Sequence, residues 1–146
     1  MIDVGKSILI VEDNPADFFA CERSLRKAGL DNPIVHCETG EDALDYFAGK
    51  GRFEQVGPGK PGVVLLDINL PGINGTDVLK VIKNDPNRRR IPVVMLTTSS
   101  DERDIELAYQ HGANSYVQKP VDLDGFMQAI QRLKDYWFEL VILPRN

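Results

Sequence analysis

Three stretches of the chain carry almost uninterrupted apolar side chains. They are Lys6–Val11, with Ile8-Leu9-Ile10-Val11 at its end, Val63-Val64-Leu65-Leu66, and Ile91–Leu96 with Pro92 near its start. Runs this short, rich in β-branched residues and without polar alternation, predict strands buried on both faces, as in a parallel sheet. Ile34–Cys37 and Ser115–Gln118 are two shorter candidate strands. Between the strands the period changes to that of a helix. Phe18, Cys21, Leu25 and Ala28 share one helical face, and Gly29 stops that helix. Ala43, Leu44 and Phe47 form the inner face of a second helix begun by Thr39 and Asp42. Val78, Val81 and Ile82 point inward from a third, which Asp85-Pro86 ends. Ile105 and Ala108 mark a fourth, for which Ser99-x-x-Glu102 reads as a capping box. A long last helix opens at Asp122 and carries Leu123, Phe126, Met127, Ile130, Leu133, Trp137, Leu140 and Val141 near one stripe.

Five β-α units in succession imply right-handed crossovers and helices on both faces of a parallel sheet. The expected fold is α/β, a single flavodoxin-like doubly wound domain with strand order 2-1-3-4-5. At 146 residues the chain has room for one domain with a real core. A net charge of −5 speaks against nucleic-acid binding, and no apolar run reaches membrane-spanning length. The N-terminus lacks a signal pattern and Cys21 and Cys37 form no Cys-x-x-Cys, so a cytoplasmic protein with reduced thiols is expected.

Two features read as surface. Residues 49–62 hold five of the twelve glycines and two prolines. Their Gly59-Lys60 invites a phosphate-loop reading, but Pro61 replaces the Ser/Thr and Glu54 stands where the first glycine belongs. Arg88-Arg89-Arg90 reads as a solvated loop or as a contact for an anion or partner. His36 and His111 are isolated from other ligand types and read as packing residues.

The chemistry sits at strand ends. The first strand ends in Glu12-Asp13, the third in Asp67, the fourth in Thr97 and the fifth in Lys119. In the expected strand order these ends share one edge, where open α/β sheets place their ligands. Three carboxylates that close repel one another or recruit a cation, and Mg2+ suits an oxygen-only donor set. Such an arrangement suits phosphoryl transfer, with Asp67 as nucleophile, Mg2+ and Lys119 neutralising oxygens and Thr97 donating a hydrogen bond.

These motifs together resemble the receiver domain of two-component response regulators. The matching residues are Val11-Glu12-Asp13-Asn14, Leu66-Asp67-Ile68-Asn69-Leu70-Pro71, Gly75, Leu96-Thr97-Thr98 and Tyr116 to Lys119-Pro120. The resemblance implies that Asp67 accepts a phosphoryl group from a sensor histidine kinase. It implies that Glu12, Asp13, Asp67 and the main-chain oxygen of Asn69 hold Mg2+. Lys119 would pair with the phosphate, the Lys119–Pro120 bond would be cis, and Thr97 and Tyr116 would form the switch. The Leu-Thr-Thr-Ser run at residues 96–99 and the aromatic tail narrow the resemblance to stand-alone regulators that work with phytochrome-type kinases. The expected organisation is one receiver domain over residues 1–146, with an extended last helix and tail at about 122–143 and no output domain. The apolar tail through Leu143 suggests a homodimer through the fourth helix, fifth strand and fifth helix. Such a protein signals; its slow autodephosphorylation does not make it an enzyme. Two other readings are a pseudo-receiver that takes no phosphate and a hydrolase resembling the haloacid dehalogenase phosphatases. The latter needs an acid at position 69, where this chain has Asn69.

Overall fold

Each strand of the sheet is short because the apolar run that makes it is short. The computed structural model describes residues 6–120 and 122–136. It contains β1 (Ile8–Val11), α1 (Pro15–Lys27), β2 (Ile34–Cys37), α2 (Gly40–Ala48), β3 (Val63–Leu66), α3 (Gly75–Asn84), β4 (Val93–Thr97), α4 (Glu102–Gln110), β5 (Ser115–Gln118) and α5 (Leu123–Lys134). All strand pairs are parallel and the order is β2-β1-β3-β4-β5, as expected. Ile8 to Val11 register with Val63 to Leu66, so β1 and β3 end level, and Leu66 registers with Met95, so β4 runs two residues further to Thr97.

The two-residue strand period divides the core in two. Leu9, Val11, Val64, Leu66 and Met95 face α2, α3 and α4, where Ala43, Phe47, Val78, Leu79 and Ile82 meet them. Ile8, Ile10, Leu65, Val94 and Leu96 face α1 and α5, packing on Cys21, Leu25, Phe126 and Ile130. Both cysteines are free and buried, and burial pushes each thiol up to about 12.

Side-chain caps fix most helix starts. Asn14 accepts from the amides of Ala16 and Asp17, Thr39 from Asp42, Asn74 from Asp77 and Asp122 from Gly125. Three expectations need correction. The α4 cap is Asp101, whose carboxylate accepts from the Arg103 amide at 2.8 Å. Ser99 Oγ instead bonds the Asp104 carboxylate, so the capping box at Ser99 does not form. In α3, Val81 is 50% exposed and Leu79 takes the inward place. One residue decides this: Leu79 adjoins Val78 on the stripe that Ile82 continues, whereas Val81 lies a further turn-fraction around the helix. Lys119–Pro120 is trans, as are all peptide bonds among the described residues. The trans form is the lower-energy isomer of an X–Pro bond by roughly 0.5–1 kcal/mol.

The glycine-rich segment 49–62 is ordered. A short 3-10 turn at Gly51–Phe53 buries Phe53 edge-on to the Tyr46 ring. Gly59 and Gly62 donate to the carbonyls of Tyr46 and Ser7, both at 2.8 Å. Arg52 ties the segment to β2 and α2 through the His36 carbonyl and the Asp42 carboxylate. The expected continuation of α5 through Trp137, Leu140 and Val141, and the tail beyond it, lie outside the described residues. No helix among the described residues is long and apolar enough to cross a membrane.

Candidate functional site: a carboxylate cluster at the sheet edge

At the carboxyl edge β1, β3 and β5 each deliver a polar residue one position after the strand, and β4 ends in Thr97 itself. Glu12, Asp67, Thr97 and Lys119 are all nearly buried, at 5%, 8%, 0% and 4% exposure. Main-chain bonds hold the rims together: Glu12 N–H to Cys37 O, Asp67 N–H to Val11 O, and Lys119 N–H to Thr97 O at 2.7 Å. Behind Asp67, Gly75 starts α3. Its amide donates to Ile68 O at 2.8 Å, and a Cβ on it would stand 2.0 Å from the Asp67 carbonyl oxygen. Only glycine lets α3 begin this close to the strand end.

The Lys119 ammonium is the hub. It pairs with Glu12 Oε1, reaches Asp17 Oδ2 at 3.1 Å and reaches Asp67 Oδ2 at 3.3 Å. Asp67 Oδ1 accepts from the Asn69 amide at 3.3 Å, and the other oxygen of Glu12 accepts from the Asn14 amide at 3.2 Å. Asp13 is exposed, but its carboxylate joins those of Glu12 and Asp67 in a group whose ligand oxygens all lie within 4.8 Å of one another. One ammonium thus faces more negative charge than it can neutralise. Burial pushes the Glu12 carboxyl up to about 7, against the opposing pull of Lys119. For Lys119, burial disfavours the charge, but Glu12, Asp67 and Asp17 outweigh it and raise its pKa.

The structure brings together Glu12, Asp13, Asp67 and Lys119, as the strand-end pattern predicts. Thr97 stands on the same rim, its Oγ1 accepting from the Ser99 amide at 3.4 Å. Asn69 is exposed two residues beyond Asp67. Tyr116 lies half-buried on β5, its hydroxyl donating to Ser99 O at 2.9 Å. Two contributors escape the sequence reading. Asp17 reads as a first-turn helix acid, yet it is a third partner of Lys119. Its signal is its place one turn after the Asn14 cap, where α1 starts over the rim. His36 stacks on Phe18 with centroids 3.6 Å apart and donates from Nε2 to Glu12 O at 2.8 Å, which steadies the acidic turn.

Comparison with known proteins agrees with this geometry. The profile of the response regulator receiver domain matches residues 8–131. The chain belongs to the response regulator receiver family. Response regulator Rcp1 of Synechocystis sp. is 35% identical over 139 residues, which span 95% of this chain and 93% of Rcp1. The crystal structure of the phosphorylated cyanobacterial phytochrome response regulator RcpA superposes with a TM-score of 0.91 at 34% identity. That match covers 97% of this chain and 100% of RcpA. The bacteriophytochrome response regulator AtBRR is 40% identical, with a TM-score of 0.73 and coverage of 98% and 99%. The protein is therefore a receiver-domain response regulator similar to phytochrome response regulators. Membership implies a histidine kinase as partner and a signalling role rather than that of an enzyme in the ordinary sense.

Proposed function

We propose that this protein is a stand-alone receiver that takes a phosphoryl group on Asp67 from a histidine kinase of bacteriophytochrome type and passes the signal on by protein contacts. The observation that carries the reading is the shared Lys119 ammonium between Glu12 and Asp67, with Asp13 beside them. The all-oxygen donor set of Glu12, Asp13 and Asp67, completed by the Asn69 main-chain oxygen, fits Mg2+. Bound there, Mg2+ would neutralise charge that develops on the phosphoryl oxygens.

In the transfer, an Asp67 carboxylate oxygen attacks phosphorus. The bond to the kinase imidazole nitrogen breaks, and the nitrogen keeps the electron pair. Lys119 shifts from its carboxylates to a phosphoryl oxygen, and the Thr97 hydroxyl donates to another. The added charge of roughly −1.5 to −2 draws Thr97 and the 98–100 loop toward Asp67. That movement breaks the hold of Tyr116 on Ser99 O and alters the surface of α4, β5 and α5. Exposed Leu107, Tyr109 and Tyr136 support a homodimer through that surface, with the tail contributing. Sedimentation that shows only monomer at tens of micromolar would remove the dimer. The cytoplasm is the expected compartment, since that is where a kinase donor domain meets its receiver.

Incubation with Mg2+ and acetyl phosphate tests the phosphoacceptor. The expected result is a mass gain of one phosphoryl group that is absent in Asp67→Asn and abolished by EDTA. No gain with any donor would favour the pseudo-receiver. Multiple turnover of unrelated phosphate esters would favour a hydrolase.

A further inference from the structure

Two features that the phosphoacceptor site does not use come together at the opposite edge of the sheet. Gly59-Lys60 leads into β3, and Arg88-Arg89-Arg90 leads into β4. Together they line one cavity of about 600 Å³, with Pro58 and Pro86 on its walls. Its volume falls in the usual range for small-molecule sites, about 300–1,000 Å³.

The cavity is preformed. On one side Gly59 is pinned to Tyr46 O, and its Cα lies so close to the Tyr46 ring that a Cβ would stand 2.2 Å from it. On the other, Asp85 O accepts the amides of Arg88 and Arg89 at 3.0 and 2.9 Å, and Arg88 O accepts that of Ile91 at 3.0 Å. Arg88 is part of the wall: it pairs with Asp85, donates to Phe47 O at 2.5 Å and lies over the Phe47 ring. Lys60, Arg89 and Arg90 are exposed, and their side chains make no hydrogen bond or ion pair among the described residues. A second depression shares Arg89 and adds Lys80, Lys83 and His111. Neither depression is lined by an aspartate or glutamate, in a chain of net charge −5.

We infer that this cavity binds a small molecule carrying two or more phosphates, of the nucleoside di- or triphosphate class. Three uncommitted cations converge on one pocket, and Arg89 and Arg90 offer the planar forks that suit phosphate oxygens. The proline walls offer apolar surface for the organic part of such a ligand. A long polyanion is less suited, because the acidic body of the protein repels whatever extends beyond the patch. The site lies one strand length from Asp67 and is independent of phosphoryl acceptance.

The test is calorimetric titration of the full chain with ATP and with tripolyphosphate at low salt and in EDTA, so that no metal links the ligand to the acidic rim. Both ligands are expected to bind, ATP more tightly. Replacing Lys60, Arg89 and Arg90 together by Gln weakens both by roughly tenfold or more, while Arg103→Gln on the exposed face of α4 changes neither. Unchanged circular dichroism of the triple variant keeps that loss assignable to the site. No binding of either ligand up to about 5 mM would overturn the inference. So would binding that survives the triple substitution. An acidic peptide or RNA oligomer that binds the cavity far more tightly than ATP would overturn the small-molecule assignment.

Discussion

Replacing Lys119 by Met removes the one cation of the acidic rim among the described residues and leaves a side chain of similar length. In the folded protein Lys119 is 3% exposed at its side chain and Glu12 is 6% exposed, so water screens their interaction poorly. Removing one partner of a buried pair costs about 3–5 kcal/mol, because the other charge stays buried and unpaired. At this chain length each kcal/mol lowers Tm by about 2–4 °C, so a drop of roughly 6–20 °C is expected in metal-free buffer. The deficit depends on pH in a defined direction. The Glu12 carboxyl already lies near 7 in the folded protein, above the unfolded value of 4.5, and two of the influences that hold it down come from Lys119. A group raised in the folded state favours folding below its unfolded pKa and loses that contribution as pH rises through its folded value. The variant therefore lies closest to the parent in acid and falls furthest behind above pH 7. Mg2+ narrows the gap, since it binds the more negative rim of the variant more tightly; a hundredfold excess over Kd is worth about 2.7 kcal/mol to the folded state. Differential scanning fluorimetry across pH, with EDTA or Mg2+, measures all three effects. A variant within about 2 °C of the parent in EDTA, with the same pH profile and the same response to Mg2+, would refute the reasoning.

The remaining predictions concern the supports of the site. Gly75→Ala forces its methyl against the Asp67 carbonyl and should cost at least about 1–3 kcal/mol while weakening Mg2+ binding, as read by chemical denaturation and metal titration. Tyr116→Phe removes the bond to Ser99 O; amide exchange at residues 98–101 should quicken by a factor consistent with about 0.5–1.5 kcal/mol. Cys21 and Cys37 should resist a thiol reagent for as long as the chain stays folded and should both react in denaturant, because burial holds each thiol near 12.

The rim was legible in the sequence because a strand buried on both faces has to end abruptly where a charge appears. Val11-Glu12 and Leu66-Asp67 mark that step, and at Leu96-Thr97 an uncharged hydroxyl closes the apolar run. The strand order 2-1-3-4-5 of the flavodoxin-like class then implied the meeting of residues far apart in the chain. What stayed hidden depends on contacts that no local pattern encodes. Asp17 looks like any first-turn acid until α1 is docked on the sheet beside α5. Ser99 and Asp101 are both plausible caps, and the competition is decided by Asp104, which engages the Ser99 hydroxyl. Val81 and Leu79 differ only in where α3 is rotated against the sheet. The cavity at the far edge joins two loops about thirty residues apart, neither of which announces the other.

The Tyr116 phenol holds the loop after β4 by a single uncharged hydrogen bond, to Ser99 O. A latch of that kind is worth about 0.5–1.5 kcal/mol, which corresponds to a two- to twelvefold bias between held and released loops. The phenol alone can weight the held loop only that far, and the bond from the Ser99 hydroxyl to the Asp104 carboxylate adds to the hold. If the proposed switch acts through this loop, its output would behave as a dial with a resting level, and a downstream partner would respond to a ratio of populations rather than to a first appearance.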